Sequence, residues 1–102
     1  MERTELTTLI EVEFVGTLQR IVGKKNISLR VDSSVTVKDV ISELTNRFTP
    51  KFEQVLVDPE LKDPRPNVLI LLNGKEIGVL DGLRTSVESG DKLVLIPVSH
   101  GG

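Results

Sequence analysis

The sequence predicts an α+β fold, with a mixed sheet of about five strands and one main helix packed on one face of that sheet. Three observations lead to this prediction. Two N-terminal segments alternate apolar and polar residues, one central segment has helical apolar spacing, and two C-terminal segments are apolar on both faces. Because a single amphipathic helix covers only one face of such a sheet, the opposite face is expected to stay open.

The first two strands are predicted from strict alternation in residues 9–14 and 26–31. Each strand has one apolar and one polar face, and the two are close in sequence, which favours an antiparallel pair. A short helical turn is expected between them, after Gly16. The residues expected to face inward are Ile10, Val12, Phe14, Ile27, Leu29 and Val31.

The main helix is predicted in the segment that begins at Val37, where apolar residues recur at i, i+3, i+4, i+7 and i+11. These residues are Val37, Val40, Ile41, Leu44 and Phe48. Thr36 is expected to cap the helix, with Asp39 completing a capping box. Pro50 forbids its continuation, so only a loose turn is expected beyond it, followed by a long loop from Asp58 to Asn67.

The last strands come from two apolar runs. The run Val68–Leu72 ends at Asn73-Gly74, a strong hairpin signal, and residues 75–78 are expected to return as a short edge strand. The run Lys92–Val98 is expected at the centre of the sheet, because an edge strand that is apolar on both faces would invite aggregation. A crossover through the helix then returns the chain to the same sheet.

Side-chain parity predicts an apolar patch on the open face. If Leu93 and Leu95 point toward the helix, Val94 and Ile96 lie on the open face and are expected to be exposed. The predicted partner-docking patch consists of Leu69, Leu71, Val94 and Ile96. The alternative is that a loop or the N-terminal segment covers this face.

Composition narrows the class of protein. The 102 residues suit one domain, and we expect a flexible N-terminal segment at 1–8, a folded domain at 9–98 and a flexible tail at 99–102. The chain has a net charge of -2 and no basic stripe, so no direct contact with nucleic acid is expected. It has no cysteine and hence no thiolate metal site or catalytic thiol. No metal ligands and no bound cofactor are predicted.

The cellular location, the oligomeric state and the lack of enzyme activity are expected from features that the sequence does not have. No apolar run approaches the ~20 residues of a membrane span, and the N-terminus has no signal-peptide core, so a cytoplasmic location is expected. A patch that docks a different protein makes a monomer the default expectation. No acid, base or nucleophile forms a recognisable catalytic set, so the chain is not expected to be an enzyme.

The order of hairpin, helix, loop, hairpin and strand is that of the ubiquitin-like β-grasp, and short motifs point to a family within it. Asn73-Gly74, Gly90-Asp91, Leu95-Ile-Pro97 and the ending Val98-Ser-His-Gly-Gly102 together resemble the MoaD and ThiS sulfur carriers and the ubiquitin-related modifiers. The resemblance extends over residues 9–102. It implies that the working group is the Gly102 carboxylate rather than a side chain.

In the mechanism that the resemblance implies, a ubiquitin-activating-type enzyme uses ATP and Mg²⁺ to adenylate Gly102, and a sulfur donor then forms a thiocarboxylate. Gly101, His100 and Ser99 would be recognised inside that enzyme's channel, where glycines leave the approach unobstructed. A catalytic or metal-binding role for His100 is not expected, because it is the only histidine and has no partner at ligand spacing. Asp58, Glu60 and Asp63 lack the spacing of an EF-hand.

The sulfur acceptor stays open in the sequence. Leu95-Ile-Pro97 and Val98-Ser99 resemble the carriers that form the small subunit of molybdopterin synthase, whereas His100-Gly-Gly resembles the ubiquitin-related modifiers. The latter favours transfer RNA thiolation, with possible conjugation to lysines of target proteins and a link to proteasome-type degradation machinery. The chain has its own candidate acceptors in Lys24, Lys25, Lys38, Lys51, Lys62, Lys75 and Lys92. A non-covalent ubiquitin-like adaptor is the competing class.

Overall fold

The structure of the chain is a computed structural model, and it describes residues 7–98. Its strands are β1 (Thr7–Phe14), β2 (Asn26–Asp32), β3 (Val68–Leu72), β4 (Lys75–Glu76) and β5 (Lys92–Pro97). Its α-helices are α1 (Thr17–Val22), α2 (Val37–Arg47) and α3 (Pro50–Leu56). Two 3₁₀ turns, Ile77–Val79 and Gly82–Arg84, lie between β4 and β5.

The five strands form one mixed sheet in the order β2-β1-β5-β3-β4. β1 and β5 are parallel, and the other neighbouring pairs are antiparallel. The final strand therefore lies at the centre of the sheet, as its two apolar faces predict. This arrangement confirms the predicted mixed sheet of five strands.

The core lies between the sheet and the helices. The inward apolar residues of β1, Ile10, Val12 and Phe14, are at most 2% exposed, and Leu93 and Leu95 of β5 are fully buried. The three phenylalanines of the chain meet in one cluster, in which the Phe14 ring contacts Phe48 and Phe52 edge-on at 5.9 and 5.8 Å between centroids. Within β2, only Leu29 is fully buried, whereas Ile27 and Val31 are half-buried.

The start of α2 follows the predicted capping box. The Asp39 N–H donates to Thr36 Oγ1 at 3.3 Å, and the Thr36 N–H donates to Asp39 Oδ2 at 2.9 Å. The buried residues of α2 are Val37, Val40, Ile41 and Leu44. These form the predicted apolar stripe, so the helix presents one face to the sheet.

The structure corrects three sequence predictions. The segment after Pro50 is a helix, not a loose turn, because Pro50 occupies its first turn and the Phe52 N–H donates to Thr49 Oγ1 at 3.4 Å. β1 begins at Thr7, two residues before the predicted start of the domain. The return strand after Asn73-Gly74 is only two residues long, because the chain turns into a 3₁₀ helix at Ile77.

The hairpin at Asn73-Gly74 forms as predicted, and both residues have positive φ, at 52° and 85°. Asn73 also holds the start of β5. Its Nδ2 donates to Asp91 Oδ1 at 2.9 Å, and its Oδ1 accepts from the Lys92 N–H at 2.9 Å. One side chain thus fixes both the turn and the entry to the central strand.

Candidate partner-docking face and exit of the chain

The four predicted patch residues lie together on the sheet face opposite the helices. Leu69 pairs directly with Ile96, and Leu71 pairs directly with Val94, on neighbouring strands β3 and β5. Directly opposed residues on one face of an antiparallel pair have Cβ atoms about 4.5–5.5 Å apart. The four side chains therefore form one continuous apolar patch, which we call the open-face patch.

Exposure of the open-face patch is uneven. Leu69 is 38% exposed, whereas Leu71, Val94 and Ile96 are half-buried. The prediction that Val94 and Ile96 would be exposed is therefore met only in part. Their packing against each other and against cross-strand neighbours removes part of their surface from water, which the parity argument does not take into account.

Carboxylates border the open-face patch on two sides. Along one row of the sheet, Glu13 of β1 pairs with Val94, Val94 with Leu71, and Leu71 with Glu76 of β4. All four residues share one face, because side chains directly opposite each other across strands lie on the same side. The apolar centre thus has a negatively charged residue at each end of the row.

One of these carboxylates is held by an ion pair. The Lys92 Nζ lies 2.9 Å from Glu13 Oε1. The hydrogen bond from Lys92 lowers the pKa of the Glu13 carboxyl below its ordinary value, so this carboxylate stays ionised to a lower pH than an unpaired glutamate. The pair sets a charged boundary at the β1 edge of the patch.

The chain leaves the sheet beside this patch. Pro97 is the last residue of β5, and the Val98 N–H donates to the Asn67 carbonyl at 3.0 Å. The Asn67 Nδ2 in turn donates to the Val55 carbonyl at 3.2 Å. This contact fixes where the chain passes from the central strand toward residue 99, next to Ile96 of the patch.

Four predicted site residues are not placed by the structure. Ser99, His100, Gly101 and Gly102 lie outside the described residues. Their roles in activation and recognition therefore stay predictions. The patch residues and the exit point are the parts of the predicted site that the structure places.

In the loop before β3, the carboxylates of Asp58 and Asp63 accept hydrogen bonds from within the loop. Asp58 Oδ1 accepts from the Glu60 and Leu61 N–H groups at 2.9 Å each. The Arg65 Nη2 lies 2.6 Å from Asp63 Oδ2, and this side-chain hydrogen bond lowers the pKa of the Asp63 carboxyl. Within residues 7–98 there is no group of three or more His, Cys, Asp or Glu side chains placed to hold a metal ion.

Sequence reasoning missed the charged border of the patch. Alternation places Glu13 on the open face, so part of the signal was present. That Glu13 neighbours Val94 depends on the parallel pairing of β1 with β5, which joins segments about 80 residues apart. Alternation within one strand contains no information about that register.

The sheet order and the single open face define a ubiquitin-like β-grasp protein. Comparisons with known proteins then identify the family. The family model described as Urm1 (Ubiquitin related modifier) matches residues 9–102. The chain therefore belongs to the family of ubiquitin-related modifiers.

Individual relatives agree with this placement. The chain is 36% identical over 93 residues to Small archaeal modifier protein 3 of Haloferax volcanii, covering 91% of this chain and 98% of that protein. It is 33% identical over 76 residues to a putative sulfur carrier protein of Archaeoglobus fulgidus, covering 72% and 83% of the two chains. The solution structure of the Haloferax volcanii HVO 2177 protein matches with a TM-score of 0.82 and 31% identity, covering 100% and 93%.

These matches confirm the resemblance to ubiquitin-like sulfur carriers and protein modifiers. The names of the family and of the first two relatives describe modifier proteins and a sulfur carrier. Within residues 7–98, none of the helices has the length and hydropathy needed to cross a bilayer.

Proposed function

We propose that this chain is a sulfur carrier and protein modifier whose Gly102 carboxylate is activated by a partner adenylating enzyme. The observation that carries the proposal is the position of the open-face patch beside the exit of β5, which leads to Ser99-His-Gly-Gly102. A partner that binds the patch would have the terminal carboxylate within the reach of residues 99–102 from its docking site. The two glycines would let that end enter a narrow channel.

The proposed reaction begins with attack of a Gly102 carboxylate oxygen on the α-phosphorus of ATP. The bond between the α-phosphorus and the departing pyrophosphate breaks, and an acyl-adenylate forms. A hydrosulfide-equivalent donor then attacks the carbonyl carbon, AMP leaves with the former carboxylate oxygen, and a thiocarboxylate remains. ATP and Mg²⁺ belong to the partner enzyme in this proposal, and any reactive cysteine would also come from that enzyme, because this sequence has none.

The docking partner is expected to present an apolar centre bordered by basic side chains. The apolar centre would cover Leu69, Leu71, Val94 and Ile96, and basic groups would meet the two bordering carboxylates. Of these carboxylates, Glu76 has no ion pair within the described residues, whereas Glu13 shares its charge with Lys92. Replacing Glu76 with Lys should therefore slow activation mainly by slowing association.

The acceptor that we favour is transfer RNA, because the ending His100-Gly-Gly and the Urm1 family match both point toward the ubiquitin-related modifiers. Conjugation to lysine is a second use of the same activated carbonyl. A lysine amine would displace AMP, form an amide and release a proton. Leu95-Ile-Pro97 also resembles molybdopterin-type carriers, which makes molybdopterin the alternative acceptor of the sulfur.

The direct test is to incubate the protein with ATP, its cognate adenylating enzyme and a sulfur donor, and to measure the intact mass. The expected result is replacement of one oxygen by sulfur, assigned to Gly102 by fragmentation. A variant with one added residue after Gly102 serves as the control and should stay unchanged, provided that the added residue is retained. Formation of thiocarboxylate on that variant, or none on the natural chain with an enzyme that modifies another carrier, would contradict the proposal.

One patch variant and one tail variant together distinguish a carrier from a non-covalent adaptor. Leu71→Glu should abolish thiocarboxylate formation while the protein stays folded, whereas deletion of Gly102 should abolish the reaction while binding to the enzyme persists. If deletion of Gly102 leaves every biological activity intact and only patch variants matter, the chain is a non-covalent adaptor instead.

A further inference from the structure

The long edge of the sheet carries a second surface, unrelated to the open-face patch. β2 lies at one edge and has seven residues without proline, whereas the opposite edge strand β4 has two. An edge strand of this length offers backbone donors and acceptors to another strand. In the part of the chain that the structure describes, no further strand pairs with β2.

The register of β1 and β2 shows which backbone groups face outward. The Phe14 N–H donates to the Lys25 carbonyl at 2.7 Å, and antiparallel hydrogen bonding alternates from there. The even-numbered residues of β2 therefore direct their N–H and C=O groups away from β1. These residues are Asn26, Ser28, Arg30 and Asp32.

Two grooves flank this edge, and their charges differ. The groove near the start of β2 is lined by Lys24, Arg47 and one carboxylate, Glu11, together with apolar Val22, Ile27 and Phe48. The groove near the end of β2 is lined by Asp32, Asp39, Glu43 and one basic residue, Arg30, together with Val31. The edge therefore has a mainly basic end and a mainly acidic end.

An edge with opposite charges at its two ends is complementary to a copy of itself turned end for end. We propose that the chain forms a two-fold symmetric dimer in which β2 pairs antiparallel with β2 of a second copy, giving one continuous ten-stranded sheet. The basic end of each copy then meets the acidic end of the other.

Backbone hydrogen bonding selects one register for this pairing. With Leu29 on the two-fold axis, Ser28 faces Arg30 of the second copy and Asn26 faces Asp32 of the second copy. The four resulting pairs use every outward group of β2 and form about eight hydrogen bonds, two for each pair. Moving the register by one pair in either direction leaves three pairs.

The same register pairs the apolar β2 residues that the single chain leaves half-buried. Ile27 comes opposite Val31 of the second copy, and both are apolar residues that the single chain buries only in part. On α2, Glu43 and Arg47 lie 3.6 Å apart and line the acidic and the basic groove respectively. The second copy runs in the opposite direction along the edge, so Glu43 of each copy approaches Arg47 of the other.

The proposed dimer leaves the open-face patch free, because that patch lies on β3 and β5 while the contact uses the far edge of the sheet. It therefore revises the expected monomer without depending on the proposed function. The contact is small, and we expect the reversible, concentration-dependent association that is typical of small interfaces.

The first test is sedimentation velocity from micromolar to millimolar concentration. The average mass of the natural chain should rise toward that of a dimer. Ser28→Pro removes an outward N–H at an edge position that tolerates proline, and should stay monomeric. Ser28→Ala keeps the N–H and should associate like the natural chain. A natural chain that stays monomeric throughout, or dimers of Ser28→Pro that equal the natural ones, would overturn the proposal.

A charge exchange distinguishes edge pairing from any general loss of fold. Glu43→Lys alone and Arg47→Glu alone should each weaken self-association by about tenfold or more, because each change replaces two attractive contacts by repulsive ones. An equal mixture of the two variants should associate again, since each supplies the charge that the other lacks. The arrangement would be refuted if the mixture failed to recover association. It would also be refuted if amide chemical-shift mapping placed the dimer contact on the open-face patch.

Discussion

Replacing two neighbouring residues of the central strand should separate the stability of the domain from its function. Leu95 is fully buried between Phe14 of β1 and Ile70 of β3, whereas Val94 is half-buried on the open face. Leu95→Ala removes side-chain volume from the middle of the core. Val94→Ala removes two carbon atoms from a face that water already reaches.

The expected magnitudes differ severalfold. A buried Leu→Ala change costs about 2–5 kcal/mol, and the upper half of that range is expected here because strands on both sides hinder collapse of the cavity. Val94→Ala should cost about 0.5–1 kcal/mol, from roughly 0.8 kcal/mol per methylene and only partial burial. For a domain of this size, 1 kcal/mol corresponds to about 4–8 °C in melting temperature, so the two variants should melt well apart.

The assay is urea unfolding followed by far-ultraviolet circular dichroism, because the chain has no tryptophan or tyrosine to serve as a fluorescent probe. Thiocarboxylate formation is measured on the same preparations at a temperature where both variants are folded. Leu95→Ala should lose much stability and keep its rate of modification, whereas Val94→Ala should lose little stability and be modified more slowly. Equal losses of stability would refute the assignment of the two residues to opposite faces.

Three further changes test the local structure. Thr36→Ala should lower the unfolding free energy by about 1 kcal/mol in urea titration, because the cap of α2 is lost, while Thr36→Ser should restore most of it. Asn73→Ala should lower the free energy of unfolding by about 1–3 kcal/mol, because alanine is strained at this positive φ and the Lys92 N–H loses its acceptor. A smaller loss than that of Thr36→Ala would contradict this role of Asn73. Lys92→Met should raise the pKa of Glu13 toward its ordinary value in a carboxyl NMR titration. Because the folded-state pKa of Glu13 is lowered, the ion pair stabilises the fold at pH values above the unfolded-state pKa. That stabilisation is lost as the pH falls through the folded-state pKa. An unchanged Glu13 titration in Lys92→Met would show that Lys92 does not cause the lowered pKa.

Local patterns in the sequence were sufficient for most elements of the fold. The spacing of Val37, Val40 and Leu44 predicted α2, and Thr36 with Asp39 predicted its cap. The two apolar faces of the last strand predicted its central position. The helix at Pro50 does not follow from the sequence as clearly, because Thr49-Pro50 is a typical helix start and Pro50 equally fits the end of the preceding helix.

For the candidate site, the sequence predicts only which face of the sheet each patch residue lies on, because side chains alternate between faces along a strand. Leu69, Leu71, Val94 and Ile96 were placed on one face by alternation within each strand, and the structure confirms that placement. Their partial burial was not predictable, since it depends on neighbouring side chains across strands. The order of the four residues, and the carboxylates on either side, also required the register.

By itself, the sequence determined which residues each strand and helix turns inward, because backbone geometry alternates side chains every second residue in a strand and about every fourth in a helix. Only the tertiary structure decided that Glu13 and Glu76 border the patch, and that β2, at one edge of the described sheet, has a mainly basic and a mainly acidic end. These features join residues from distant segments, and their positions follow from strand pairing and register rather than from any local pattern.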